Sequence, residues 1–231
     1  MSDVTAVLFD IDGTLLDMLG IGRLAFIRAL ETTFGIRDTL AYIRFSGNTD
    51  LNVLQQVMAH HARILTATDE EAFHRQLPRE LAAASHQAKL ILYPGVRELL
   101  EALSSKPDLV LGLVTGNVEA CAWIKLQQFN LHGHFVLGAF GDEHADRNDI
   151  ARLALERVKS RLQPGQSLKG CFLIGDTPND IRAARAIDAV AIAVATGKFS
   201  VEDLKAAGAD VVLPDLSDTP CVMELFRSPS G

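Results

Sequence analysis

The stretch from Val4 to Asp17 reads VTAVLFDIDGTLLD, and its reading decides the architecture. Val4 to Phe9 is an apolar run rich in β-branched residues, the pattern of a buried strand. The run stops at Asp10, and Asp12-Gly13-Thr14 follows. Two carboxylates, two residues apart, therefore leave the carboxyl end of a strand and enter a glycine turn. In open α/β sheets chemistry collects at the carboxyl ends of the strands. Asp-Gly also punctuates strands that carry no site, so the weight of this stretch depends on whether other segments answer it.

Three segments do. Leu109 to Val114 is an apolar run ending in Thr115-Gly116-Asn117, and Cys171 to Ile174 is another, ending in Gly175-Asp176-Thr177-Pro178-Asn179-Asp180. Between them, Phe135 to Phe140 leads into a charged stretch from Gly141 to Asp149. Strands that present carboxylates, a hydroxyl and a basic residue at their ends are hard to explain as turns alone. Ala189 to Val194 and Asp210 to Leu213 read as further strands. Helical patterns fall between them: about Val96 to Leu103, after Thr115, and about Asn148 to Leu162. This alternation predicts an α/β fold, a Rossmann-like parallel sheet with helices on both faces.

One block breaks the alternation. Leu24, Ile27, Leu30 and Phe34 recur at helical spacing, with Gly35 as a stop. A second helix is expected from about Asp50 to His61. A third begins after Thr68 with Asp69, Glu70 and Glu71 in its first turn, where a helix dipole favours acids; Pro78 is expected to kink or divide it. Residues 18–90 thus read as an all-helical insertion forming a cap lobe. Residues 1–17 and 91–231 read as the α/β core. The tail from Ser228 to Gly231 is expected to be disordered.

Composition bounds the remaining choices. The chain has 231 residues, 48% hydrophobic and 22% charged, which suits a soluble globular protein with one core and a smaller lobe. A net charge of −7 argues against nucleic acid or an anionic membrane as partner. The three cysteines, Cys121, Cys171 and Cys221, show neither a disulfide framework nor metal-knuckle spacing, which points to the cytoplasm. Cys171 in a strand pattern and Cys121 in a helical one read as small core residues. No signal peptide or transmembrane stretch is read. The histidines at 60–61, 132, 134 and 144 lack a convincing zinc ligand set.

Asp10-Ile11-Asp12-Gly13-Thr14, Thr115, Gly175-Asp176-Thr177 and Asp180 together resemble the haloacid dehalogenase-like hydrolase superfamily. The order and spacing are similar to its phosphoglycolate phosphatase-like branch, which carries a helical cap. The resemblance spans nearly the whole chain. It implies a Mg²⁺-dependent phosphatase acting on a small phosphorylated metabolite, such as a phosphoglycolate-like compound or a sugar or polyol phosphate.

The residue chemistry suits that implication. A carboxylate such as Asp10 can attack phosphorus and form an acyl phosphate, splitting one hard displacement into two. Two anions approaching each other need a cation, and Mg²⁺ takes carboxylates, phosphate and water. Asp10 and Asp176 could supply those carboxylates. In the resembled family the residue matching Asp12 adds a backbone carbonyl ligand, and its side chain serves as the acid and base for the leaving group and water. Asp180 would stand in the outer shell or bind through water. Thr115 and Gly116, ending a strand before a helix, suit phosphate oxygens, although Thr115 reads almost as well as a helix cap. Asn117 divides between contact and cap.

The third motif departs from the family's pattern, in which a lysine is expected after the strand near Phe135. No lysine lies between Lys125 and Lys159. Arg147 is the best substitute, because a guanidinium can bridge phosphate and carboxylate; its competing reading is a solvated arginine among Asp142, Glu143, Asp146 and Asp149. Ser46-Gly47-Asn48-Thr49-Asp50 resembles a substrate-facing cap loop, making Thr49 and Asp50 candidates for specificity. A phosphotransferase or sugar-phosphate mutase would use the same aspartyl phosphate. A non-enzymatic phosphoacceptor is disfavoured by the helical insertion and by Asp12, neither of which it needs. Dehalogenase chemistry is disfavoured because the residue matching Asp12 in those relatives is not acidic.

Overall fold

Along β1 (Ser2–Phe9), Val7 and Phe9 join the core on one side of a sheet while Ala6 and Leu8 join the core on the other. All four are fully buried. A strand apolar on both faces is stable only between two layers of helix, and that is the arrangement. The structure is a computed structural model describing residues 2–86 and 88–226.

β1 is central. It pairs in parallel with β4 (Leu109–Val114) on one side and β6 (Gln166–Gly175) on the other, with Phe9 opposite both Leu113 and Ile174. β5 (Leu137–Ala139), β7 (Val190–Val194) and β8 (Val211–Leu213) complete the sheet in the order β5-β4-β1-β6-β7-β8. The three central strands end together, so Asp10, Thr115 and Asp176 leave the sheet along one edge. α4 (Val96–Ser104), α5 (Glu119–Gln127) and α9 (Thr219–Glu224) share the core of Val7 and Phe9. α6 (Arg147–Ser160), α7 (Pro178–Arg185) and α8 (Val201–Ala206) share that of Ala6 and Leu8. Truncating Phe9 to Ala would cost about 3–5 kcal/mol, the usual loss for a buried aromatic.

The helical insertion begins and ends at a two-stranded antiparallel ribbon, β2 (Leu16–Asp17) with β3 (Ile91–Leu92). Between them run α1 (Ile21–Phe34), α2 (Asp50–His60) and α3 (Ala67–Ser85). Phe73 of α3 stacks on Phe34 at 6.1 Å and meets Phe26 at 4.7 Å between ring centroids. Gly35 stops α1 in the left-handed region at φ 68°, as its position predicts. α3 starts at Ala67, earlier than the expected start, because Thr66 and Asp69 form a reciprocal capping box.

Pro78 does not divide α3, which continues through it. The ring removes one backbone donor, but Phe73, Leu77 and Leu81 lie on one buried face, and their packing holds the helix together. Among the described residues no helix is long and apolar enough to cross a membrane. The tail from Ser228 to Gly231 lies outside the described residues.

Candidate active site

Asp10 follows the last residue of β1, and its backbone N–H donates to the carbonyl of Ile174, locking it to the adjacent strand. Asp176 follows β6. Asp180 lies in the first turn of α7, where Thr177 and Asp180 form a capping box with Pro178 at the start of the helix. Oxygens of Asp10, Asp176 and Asp180 lie within 4.8 Å of one another, and all three residues are buried.

One cation enters this cluster. Arg147 is the first residue of α6, a position where the helix dipole disfavours positive charge. Its side chain turns inward: Nη2 lies 2.7 Å from Asp10 Oδ1 and 2.6 Å from Asp180 Oδ1, while Nε donates to Asp180 Oδ1 at 2.7 Å. Nη2 also donates to the carbonyl of Val114. The competing reading of a solvated arginine does not hold, since Arg147 is 6% exposed. Burial alone would lower its pKa, but Asp10 and Asp180 outweigh burial and hold it above its ordinary value.

One guanidinium does not balance three buried carboxylates. Burial pushes the Asp10 carboxyl up to about 7, with Arg147 opposing the rise and the charge of Asp180 adding to it. Burial, then the charges of Asp180 and Asp10, push Asp176 up to about 9. Asp176 forms no ion pair among the described residues; Thr14 Oγ1 donates to it at 3.5 Å. Gly13 is pressed against it at φ +87°, where a Cβ would lie 2.3 Å from Asp176 Oδ2. A buried, oxygen-only cluster short of positive charge is the donor set a hard divalent cation requires. The residues present therefore fit Mg²⁺, with Asp10 and Asp176 the carboxylates best placed to hold it. Asp180 is spent on Arg147 through Oδ1 and on the Thr177 N–H and hydroxyl through Oδ2.

The Asp12 side chain is not part of that cluster. Both of its carboxylate oxygens accept from Lys125 Nζ, at 2.8 and 2.6 Å, and Oδ2 also accepts from Asn117 Nδ2 at 2.7 Å. Lys125 donates to Asn117 Oδ1 at 2.6 Å as well. Asn117 Nδ2 reaches Thr115 Oγ1 at 2.7 Å, so Thr115, Asn117, Lys125 and Asp12 form one chain of polar contacts. Burial would lower the Lys125 pKa, but Asp12 and Asp50 hold it above its ordinary value. Lys125 did not stand out as a site residue in the sequence. The available signal was its spacing: it falls three and four residues after Ala122 and Cys121, on the buried face of α5.

Thr49 and Asp50 are structural ties in this conformation. Thr49 caps α2, accepting from the N–H of Asn52 at 3.1 Å and donating to the carbonyl of Ala145 at 2.8 Å. Asp50 Oδ2 accepts from the N–H of Val118 at 2.9 Å, capping α5 where Val118 has no side-chain oxygen to do so. Burial pushes the Asp50 carboxyl up to about 6 despite Lys125 and that N–H. The Asp50 N–H donates to the carbonyl of Gly116 at 2.7 Å, and Asn179 Nδ2 donates to that of Gly47 at 2.5 Å. A Cβ at Gly116 would fall 2.0 Å from the Asn48 carbonyl oxygen, so only glycine allows this approach. Beside the loop lies a polar cavity of about 360 Å³ bordered by Asn48, Asn52, Arg147, Asn148, Asn179 and Arg182.

A central parallel sheet whose strand ends gather buried carboxylates and one arginine defines an α/β protein with an acidic site at the carboxyl edge of its sheet. The chain belongs to the haloacid dehalogenase-like hydrolase family, which matches residues 4–188. A phosphoglycolate phosphatase from Synechococcus elongatus is 30% identical over 96% of this chain and 99% of its own length. One from Agrobacterium fabrum is 28% identical over 96% of this chain and 93% of its own. Among solved structures, a hydrolase from Pseudomonas syringae shares the fold at a TM-score of 0.70, with 24% identity over 97% of this chain and 100% of that one.

Proposed function

We propose that the protein is a Mg²⁺-dependent phosphatase that hydrolyses a small phosphomonoester through an aspartyl phosphate on Asp10. The observation that carries this reading is the division of labour at the strand ends. Asp10 is held by Arg147 beside Asp176 and Asp180, while Asp12, two residues on, is held apart by Lys125. One carboxylate is thus presented as nucleophile and the next as acid and base.

In the first half, an Asp10 oxygen attacks phosphorus, the phosphorus–oxygen ester bond breaks, and the leaving oxygen takes a proton from Asp12 to depart as an alcohol. In the second half, water attacks phosphorus, Asp12 accepts its proton, the Asp10–phosphorus bond breaks and orthophosphate leaves. Mg²⁺, held by Asp10, Asp176 and the carbonyl of Asp12, would neutralise charge as the phosphate meets Asp10. Arg147 fixes the attacking carboxylate and offers guanidinium N–H groups to phosphate oxygens. Thr115 Oγ1, the Gly116 backbone and Asn117 border the same strand-end edge and complete the phosphate side. Asp180 orients Arg147.

Residues 18–90 act as the cap over this edge. The contacts of Gly47 and Asp50 with Asn179 and Gly116 narrow the approach, which favours a small ester over a phosphoprotein. Thr49 and Asp50 influence specificity by setting the position of that loop. Phosphoglycolate is the leading substrate, since two relatives matched over nearly their full length bear that activity in their names. The three cysteines are free and the net charge is −7, which supports a cytoplasmic protein with no nucleic-acid partner.

The test is phosphate release with Mg²⁺ across phosphorylated acids, sugars, polyols and nucleotides, alongside an Asp10→Asn control. Phosphoglycolate or another small ester should turn over, and the control should not. Equal activity in the control would overturn covalent catalysis by Asp10.

A further inference from the structure

Among the described residues Lys125 is the only buried lysine, at 5% exposure. It sits in the last turn of α5, in a helix whose buried face is otherwise Cys121, Ala122 and Leu126. A buried ammonium is costly unless its donors are matched. Here they are matched on Asp12 Oδ1, Asp12 Oδ2 and Asn117 Oδ1, all within 2.8 Å. With these donors committed, Lys125 has no free N–H for a phosphate and no lone pair for nucleophilic attack. Its influence runs through Asp12.

The Asp12 side chain is 42% exposed, so packing alone does not hold it. Among the described residues its only other side-chain hydrogen bond is from Asn117, itself anchored by Lys125. Removing the ammonium would free the Asp12 carboxylate to rotate. Both Asp12 oxygens accept N–H donors, which fixes the orientation of the carboxylate. Arg147 on α6 and Lys125 on α5 thus grip consecutive carboxylates of one motif from opposite sides of the sheet.

We infer that Lys125 is a positioning residue for Asp12, aiming its carboxylate at the water that hydrolyses the aspartyl phosphate; this rests on the phosphatase reading above. In that step the water oxygen bonds to phosphorus, its proton passes to Asp12, and the Asp10–phosphorus bond breaks.

The experiment is rapid-quench kinetics with 4-nitrophenyl phosphate and Mg²⁺, whose leaving group departs without needing a proton. Formation of the phosphoenzyme and its breakdown are measured separately in wild type, Lys125→Met, Lys125→Gln and Lys125→Arg. The expected result for Lys125→Met is formation within about threefold of wild type and breakdown slowed about 100-fold, the scale of lost general-base catalysis. Lys125→Arg should recover at least about tenfold of that loss, because it restores a cation with N–H donors. If Lys125→Met does not fold, Lys125→Gln carries the same comparison. Breakdown unchanged, or formation and breakdown slowed equally, would overturn the assignment of Lys125 alone. Absence of any phosphoenzyme in wild type and of any effect of Asp10→Asn would overturn the covalent reading, and the Lys125 assignment with it.

Discussion

A single guanidinium nitrogen of Arg147 lies 2.7 Å from Asp10 Oδ1 and 2.6 Å from Asp180 Oδ1, joining the end of β1 to the start of α7. Removing it leaves two buried carboxylates without their cation, a loss of about 3–5 kcal/mol for pairs of this kind. Arg147→Ala should therefore lower stability by that order in denaturant titration and lose turnover. Arg147→Lys should recover part of both, having charge without the fork. Arg152, paired with Asp149 at the surface, is the control, and Arg152→Ala should change stability by less than about 1 kcal/mol. Equal effects at 147 and 152 would remove the proposed role.

Asp10→Asn and Asp12→Asn should separate in their defects. The first removes the nucleophile and should abolish phosphoenzyme formation, read by trapping with radiolabelled ester. The second keeps the nucleophile but loses proton transfer, so turnover should fall by about 100-fold or more while phosphate still binds. An Asp12→Asn enzyme that turns over alkyl phosphates at the wild-type rate would contradict the acid and base assignment.

Metal and pH should act on stability together. The folded protein holds the Asp10 and Asp176 carboxyls near 7 and 9, against a usual value of 3.8, so it binds more protons than the unfolded chain across that window. Stability of the metal-free protein should then fall as pH rises from about 4 towards 9. Mg²⁺ should restore it, most at the alkaline end, and chelation should stop activity. Asp176→Asn removes the cost of holding that carboxyl protonated at pH 8, so it should make the metal-free protein more stable there while abolishing the gain from Mg²⁺. Thermal melts with and without Mg²⁺ across that range would check this; a flat profile in the metal-free protein would contradict it.

The loop around Thr49 should respond to two different substitutions in different ways. Thr49→Ala removes the cap of α2 and the bond to Ala145, and should cost about 1–2 kcal/mol in denaturant titration. Gly116→Ala places a Cβ against the Asn48 carbonyl and should displace the loop without touching Asp10 or Asp176. Its kcat/KM ranking of small esters should change while Mg²⁺ affinity stays as in wild type. An unchanged ranking would mean that the loop does not control access.

What the sequence by itself determined is the part of the protein governed by local rules. An apolar run ending in Asp10-Ile11-Asp12-Gly13 makes a buried strand with carboxylates at its end, and its repetition at Thr115 and Asp176 makes a parallel sheet with one functional edge. Alternation of strand and helix, and the interruption by α1–α3, follow from short apolar runs and a periodicity of 3.6 residues. The tertiary structure decided which charges meet. Arg147 among four acids leaves a site arginine and a solvated one both open until α6 is packed on β4 and β5, which turns it onto Asp10 and Asp180. Lys125 reads as one charge in an apolar helix until α5 lies beside the first motif, and the ties of Thr49 to Ala145 and of Asp50 to Val118 have no counterpart in the local sequence. Pro78 likewise reads as a break until Phe73 and Leu77 are buried around it. Ion pairs and caps between residues far apart in the chain have no local signature, because the attraction that offsets the cost of burying them exists only where both partners meet, and only the packed fold brings that about.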